Sequence, residues 1–412
     1  MNDTPRHVVS TGRPAAGALP SDGTRQAEQL HLLGVLDVCA TKARTPSAPR
    51  HAGGWAARFT RLCRSAGGLL ALAILVMSCQ TAPPDDEPED PFGQGDFHIQ
   101  TQFVRRVATA LTTTVFSAGA LSGTLEIYAP KPPELASQTL LSCDMLIPAA
   151  PDFLWVEVQD ESPLLRPLLA LDAPVTSNDF LNPLVVELQY EVDLFAQHLS
   201  EGTGSSPVVP LSSEQRAAYL ASAPRMDFDA AVFSDWILQA GLSRKAGERD
   251  LAFGHRVFRY LTSHATYGVG GDYDSRRPSV VCQTLTSDCG GLSLLFVASL
   301  RANGVPARTL FGRWALSQTG NYGQYHVIAE FYAGGVGWVP VDVAGVVAHG
   351  IANPDTLFGH TDGLFLAFHE DTDIVAAPGF VHGWAQYVLL RWVGEGDFWP
   401  ANITDWWSVS TE

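Results

Sequence analysis

Cys289 stands directly in front of two glycines and a long apolar run in SDCGGLSLLFVASLRANG, Ser287 to Gly304. A thiol at the first turn of a helix is placed to become a nucleophile. The unpaired N–H groups and the positive end of the backbone dipole there favour thiolate over thiol. Such a nucleophile needs a proton shuttle, and the shuttle needs a group to orient it. Some way downstream, YHVIAEFYAGGVGWVPVDVAG carries His326 and Asp342. Read as an antiparallel hairpin, side-chain parity puts His326, Ile328, Glu330 and Tyr332 on one face, matched by Trp338, Pro340 and Asp342 on the partner strand, with the valine faces toward the core. The positions 326 and 342 are centred on Gly334, inside the Ala333–Gly337 turn. This turn can therefore supply a register that pairs His326 with Asp342, beside registers one residue off.

These three residues suit nucleophilic acyl transfer. Cys289 attacks, His326 serves as general base and then acid, and Asp342 holds the imidazole's tautomer. Gly290 and Gly291 leave the approach open, and the Cys289 N–H is one candidate oxyanion donor. No residue pattern marks a second donor. Plainer readings stand beside these: a packed core thiol, a satisfied strand histidine, a surface acid. Glu330 shares the His326 face and reads as a structural ion pair. His349, His360, His369 and His382 lack any metal-ligand spacing, so no metal or cofactor is expected. No calcium loop is recognisable.

The elements that must hold these residues follow from periodicity. The apolar run after Cys289 covers most of a helical circumference, so this helix is central and buried, ending near Gly304 with Pro306 beyond. ARTLFGRWAL, YHVIAEFYA and GWVPVDVAG read as three strands after it. Before it, SSEQRAAYLAS, DFDAAVFSDWILQAG and residues 246–263 read as helices. Residues 97–199 read as a β-rich domain of sandwich type, on strands such as LVVELQYEVDLF (Leu184 to Phe195) and SGTLEIYAP. SEGTGSSPVVP (Ser200 to Pro210) reads as a linker, and residues 210–412 as the catalytic domain. The fold class expected is α+β.

The chain has 412 residues and a formal net charge of -17. That acidity argues against nucleic-acid binding, which needs clustered Lys and Arg. Residues 1–78 run the other way, with nine Lys and Arg against four acids. Arg58, Arg61 and Arg64 precede an apolar stretch, Ala66 to Met77, of signal-peptide rather than membrane-spanning length. Val76-Met77-Ser78-Cys79 is similar to a bacterial lipoprotein box, which implies lipidation of Cys79. Membrane contact is then through the lipid alone, with placement on the cell envelope and, in a diderm, on the outer membrane. Residues 79–96 are an acidic, Pro-rich tether. Residues 1–50 exceed what an n-region needs and point to a translation start downstream of Met1. Three cysteines remain in the body: Cys143, Cys282 and Cys289. In an oxidising compartment they allow one disulfide and one free thiol. Cys282 pairs with Cys143, stays buried, or locks Cys289.

DCGGLSLLFVASLRANGVPARTLFGRW followed by HVIAEFYAGGVGWVPVD resembles the catalytic core of the transglutaminase-like superfamily. Arg301, Gly304, Val305, Pro306, Ala307 and Arg308 reproduce its Arg-x-x-Gly-(Ile/Val)-Pro-Ala-Arg pattern, and Trp338 and Asp342 its downstream Trp and Asp. Ile328 stands where the family usually has Trp. Thr266-Tyr267-Gly268 and FGHTDGLFLAF (Phe358 to Phe368) are similar as well. The resemblance covers about residues 210–400. It implies a papain-like core, with a Cys-bearing helix on an antiparallel sheet that carries His and Asp. It also implies attack on a carboxamide or peptide carbonyl of a protein or peptide, giving a thioester that an amine or water resolves. The competing reading is a non-catalytic surface module that binds peptide or glycan on the same core.

Overall fold

The computed structural model describes residues 91–118, 122–175, 183–204, 207–316, 324–395 and 399–411. The basic leader, Cys79 and most of the tether lie outside the described residues. These described residues belong to one compact unit.

Two long strands, β1 (Phe97–Ala118) and β6 (Leu184–Glu201), pair antiparallel along almost their whole length. Alternation of Leu184, Val186, Leu188, Tyr190, Val192 and Leu194 turns one face of β6 into the core. β3 (Gln138–Leu146) pairs with β6 in the same sheet. The facing sheet contains β2 (Ser122–Pro130), β4 (Val156–Gln159) and β5 (Pro167–Val175). Val107, Leu111, Leu125, Ile127, Leu169 and Leu171 fill the space between, as in a sandwich.

This sandwich is not confined to 97–199. β16 (Leu389–Glu395) pairs with β2, and β17 (Trp399–Thr411) pairs with β1 from Val107↔Thr411 to Ala118↔Trp399. The boundary read from sequence gave these residues to the catalytic domain. They return to the sandwich because β1 and β2 otherwise present unpaired edges.

Between β6 and β16 lies the core. Its helices are α1 (Ser213–Ala218), α2 (Ala231–Gln239), α3 (Asp250–His264), α4 (Pro278–Thr284) and α5 (Cys289–Arg301). Ser212 and Gln215 form a capping box on α1. α3 starts four residues later than its apolar pattern suggests, because Gly247 sits at φ +77° and Arg249 is extended. β7 (Thr266–Tyr267) and β8 (Thr286–Ser287) pair in parallel and deliver the chain to α5.

The core sheet runs β11-β10-β9-β13, with β9 (Ala307–Trp314), β10 (Tyr325–Ala333), β11 (Gly337–Val341) and β13 (Phe365–Glu370), all antiparallel neighbours. Every residue of α5 from Gly290 to Arg301 is buried, as its unbroken apolar run requires. Its partners include Val327, Ala329 and Phe331 on one face of β10. The opposite face is buried too, which the sequence reading did not expect. Ile328 packs with Leu310, Phe365 and Ala367. Glu330 is paired with Arg308 at 2.6 Å, an ion pair as expected. The sandwich supplies this second cover: Gln138 Nε2 donates to Ala367 O at 2.9 Å. Arg166 likewise reaches the carbonyls of Glu370, Thr372 and Asp373 at 2.8 Å each.

The turn centre lies one residue beyond Gly334, so each β10 residue pairs two residues further along β11 than in the register centred on Gly334. Glu330 pairs with Pro340 and Tyr332 with Trp338, so the turn centres on Gly335. Gly335 at φ +79° takes the left-handed position that a three-residue loop needs. β11 ends at Val341, and Asp342 is the N-cap of an unforeseen helix, α6 (Val343–His349), which stops at Gly350 with φ +59°.

Candidate active site

Cys289 is the first residue of α5. The pairing of Tyr267 with Ser287 and the Gly268 N–H to Ser287 O bond of 2.9 Å fix the chain immediately before it. Asp288 caps the helix, its Oδ1 accepting from Gly291 N at 3.2 Å. The Cys289 N–H therefore belongs to the open first turn. The two glycines do not clear the approach in the way expected from sequence. A Cβ on Gly291 would overlap the Ser287 hydroxyl, and one on Gly290 would press on the Arg276 side chain at 3.2 Å. They let flanking segments close on the helix start.

His326 is held from both sides of its strand. Its backbone pairs with Gly312, and Gln386 Nε2 donates to His326 O at 3.0 Å and to Gly312 O at 2.6 Å. Ser293 on α5 donates to the neighbouring Val327 O at 2.9 Å, tying the Cys helix to the His strand. The imidazole stacks on Trp314, with centroids 5.1 Å apart and planes at 24°, and meets the edge of Phe365. Trp314 from the adjacent strand β9 thus supplies an indole against His326.

Asp342 and His326 meet, although they are not opposed across the hairpin. Capping α6 fixes Asp342: its Oδ1 accepts from Gly345 N at 2.7 Å. Oδ2 is left to accept from His326 Nε2 at 2.8 Å. A carboxylate acceptor fixes the proton on Nε2 and leaves Nδ1 for a second partner. Cys289 lies near enough for its thiol to bear on the imidazole. Burial opposes a charge on His326, but Asp342 and Cys289 outweigh it and hold the imidazole well above its ordinary 6.5. Burial likewise pushes Asp342 up. The charge and hydrogen bond of His326, the Gly345 N–H and the charge of His349 win, and its carboxyl lies below the usual range.

The structure thus brings Cys289, His326 and Asp342 together. It leaves Cys143, Cys282 and Cys289 all as free thiols, so the disulfide that the cysteine count allowed does not form. Cys282 is buried, and burial lifts its thiol to about 11. The four histidines scatter. His369 is buried, accepts from Ala385 N at 2.9 Å and is pushed down to about 3 by burial, so it is neutral. His349 lies at the end of α6, His360 beside His198, and His382 on β15 (Phe380–His382). Among the described residues no cluster of three or more His, Cys, Asp or Glu is placed to hold a metal ion.

Sequence reasoning missed Trp314, Gln386, Arg276 and the cap role of Asp288. The Asp-x-x-Gly spacing before an apolar run was a readable cap signal for both Asp288 and Asp342. Nothing local marks Gln386, which lies 60 residues from His326 along the chain. A surface cavity of about 420 Å³ lies toward the other end of the sheet, lined by Glu134, Tyr219, Arg308, Trp338 and Glu370 and not by the Cys-His-Asp group.

Residues 240–343 match the family model of the transglutaminase-like superfamily. An uncharacterized protein of Haemophilus influenzae is 32% identical over 137 residues, which is 28% of this chain and 34% of that protein. The chain thus spans about a third of the length of this relative. Among solved structures, a candidate cysteine protease from Cytophaga hutchinsonii aligns with TM-score 0.45 and 13% identity, covering 76% of this chain and 100% of that one. The periplasmic domain of TgpA from Pseudomonas aeruginosa aligns with TM-score 0.32 and 14% identity, covering 65% and 92%.

Proposed function

Proceeding from a transglutaminase-like domain over residues 240–343, we propose that this protein is a cysteine-dependent hydrolase or acyltransferase acting on carboxamide or peptide bonds of protein or peptide substrates. The observation that carries the reading is the His326 Nε2 to Asp342 Oδ2 bond of 2.8 Å, with Cys289 bearing on the same imidazole.

In this reading the Cys289 proton passes to His326 Nδ1, giving a thiolate beside an imidazolium that Asp342 stabilises. The thiolate attacks the carbonyl carbon, and the oxyanion forms at the open first turn of α5, facing the Cys289 N–H. His326 returns the proton to the departing ammonia or amine as the C–N bond breaks, leaving a thioester. Water or a second amine then adds, giving up its proton to His326, and the thiolate departs with the acid or new amide formed. Aromatic walls from Trp314 and Phe365 keep the imidazole in one orientation.

Export belongs to the same proposal. The Arg58–Arg64 n-region, the apolar Ala66–Met77 stretch and Cys79 support a lipid-anchored envelope protein. Labelling with a fatty-acid probe, lost in Cys79→Ala, is the expected result.

The central experiment compares incorporation of an amine probe across a proteome treated with the wild-type protein or with Cys289→Ala. Incorporation that needs Cys289 identifies a transferase, and new protein termini without incorporation identify a peptidase. No difference between the two proteins, with Cys289 as unreactive as an ordinary thiol, would leave a binding module and sink the enzyme reading.

A further inference from the structure

The catalytic helix starts with a charge problem. Asp288 immediately precedes Cys289, and its carboxylate caps α5 by accepting from Gly291 N at 3.2 Å. A cap carboxylate suits a helix N-terminus. An uncompensated one next to the reacting sulfur opposes formation of a thiolate there.

Arg276, on the 3-10 turn Asp274–Arg276, meets this carboxylate in a fork. Its Nε lies 2.9 Å from both oxygens and its Nη2 2.5 Å from Oδ2. Its Nη1 donates to the carbonyls of Gly271 at 2.5 Å and Asp272 at 3.1 Å, so the guanidinium is clamped to its own loop. The pair is largely buried, with side-chain exposures of 17% and 18%. The guanidinium also lies over Trp384 at 5.3 Å. Two glycines make room for it. A Cβ on Gly270 would overlap both the Asp288 carboxylate and the Arg276 guanidinium, and a Cβ on Gly290 would press on Arg276 Cδ. This explains glycines that the need for turns alone does not.

We propose that Arg276 is a positioning residue for Cys289: its two-pronged pair with Asp288 holds the cap carboxylate against α5 and cancels its charge beside the reacting sulfur. The proposal rests on the reading of Cys289 as the nucleophile. The charged and titratable groups that bear on Cys289 are His326 from β10, Asp288 preceding it and Arg276 from the 3-10 turn. Asp342 and His349 act through His326, and Tyr273 lies beside Arg276. Of these, only Arg276 and Asp288 form a pair whose net charge one substitution changes without touching His326. A planar fork suits the task better than an ammonium, because it engages both oxygens and leaves a third nitrogen for the loop.

The test is the pH profile of Cys289 alkylation by iodoacetamide, mapped by mass spectrometry, on the full chain. In Arg276→Gln the profile shifts upward by about one pH unit, roughly a tenfold slower reaction on the rising limb. The double variant Arg276→Gln with Asp288→Asn, which removes both charges and keeps a capping side chain, recovers most of that loss. A folded Arg276→Gln with the wild-type profile, or a double variant no faster than the single one, overturns the proposal. Should Arg276→Gln fail to fold, Asp288→Asn alone carries the test. It leaves the guanidinium uncompensated, so the profile moves down, and an unmoved profile is the contrary result. A wild-type Cys289 that reacts like an ordinary thiol and ignores His326→Ala brings down the nucleophile reading and this one together. Sensitivity to His326→Ala without sensitivity to Arg276→Gln brings down this one alone.

Discussion

Each end of α5 carries an arginine–aspartate pair, and the two are built for opposite purposes. At the C-terminal end Arg301 pairs with Asp371, with exposures of 3% and 6%. Arg301 also donates to Ala307 O at 2.6 and 2.9 Å and to Ala221 O at 2.9 Å, while Asp371 accepts from Thr309 N and Oγ1. Every lobe of that pair is occupied by scaffold. At the N-terminal end Arg276 and Asp288 are 17% and 18% exposed and adjoin the first turn of the helix. A buried, saturated pair specifies where a helix ends, and a partly open one beside a reactive atom adjusts what that atom does. On the proposal made for Arg276, one helix serves as both keel and electrode.

The comparison yields outcomes that can break it. The largest effect belongs to the N-terminal end. His326→Ala should slow turnover of a carboxamide substrate by about 100- to 10,000-fold, with the fold retained by circular dichroism. Next comes the C-terminal end: Arg301→Met leaves Asp371 buried and unpaired and should cost about 3–5 kcal/mol in urea unfolding. Alkylation of Cys289 in the fraction still folded should stay at the wild-type rate. An Arg301→Met protein that is stable but unreactive would reverse the assignment of the two ends.

A third outcome concerns pH. The folded His326 is raised and the folded Asp342 depressed. The raised histidine stabilises the fold fully below its unfolded value and loses that contribution as pH climbs through its folded value. The depressed carboxyl contributes above the ordinary carboxylate range and loses this as pH falls through its folded value. The melting temperature should therefore plateau between these limits, and Asp342→Asn should shift the alkaline fall toward the ordinary histidine range. An alkaline limb that does not move separates stability from the His326–Asp342 pair. The smallest effect is that of Ser293→Ala, which removes the bond to Val327 O and should cost about 1 kcal/mol. A larger drop in alkylation than in stability would place this tie with the reactive end.

What the sequence disclosed follows the reach of its signals. The buried character of α5, the stop at Gly304 and the parity of His326 are short-range facts, carried by apolar periodicity and glycine. The turn centre of β10 and β11 was off by one residue, and the pairing by two, because a glycine-rich turn admits neighbouring registers. Asp342 was placed in a strand because Val-Pro-Val-Asp-Val alternates, yet its side chain made the stronger choice by capping a helix. Trp314, Gln386 and Arg276 were invisible because each acts across strands or loops that pattern alone cannot bring together. The second face of β10, half apolar and half charged, looked like a surface because the sandwich that covers it comes from far away in the chain.

The strand β17 carries a consequence for how this protein comes into being. Its partner Val107 lies some 300 residues before Thr411, so the sandwich cannot zip shut until β17 has emerged. Contacts of such separation are slow to form. A chain cut after β16 would leave much of one side of β1 as a bare edge open to pairing with another copy. Closure of the sandwich is thus gated by length: β17 acts as a fastener drawn across the described sandwich, and a newly made chain must wait for it.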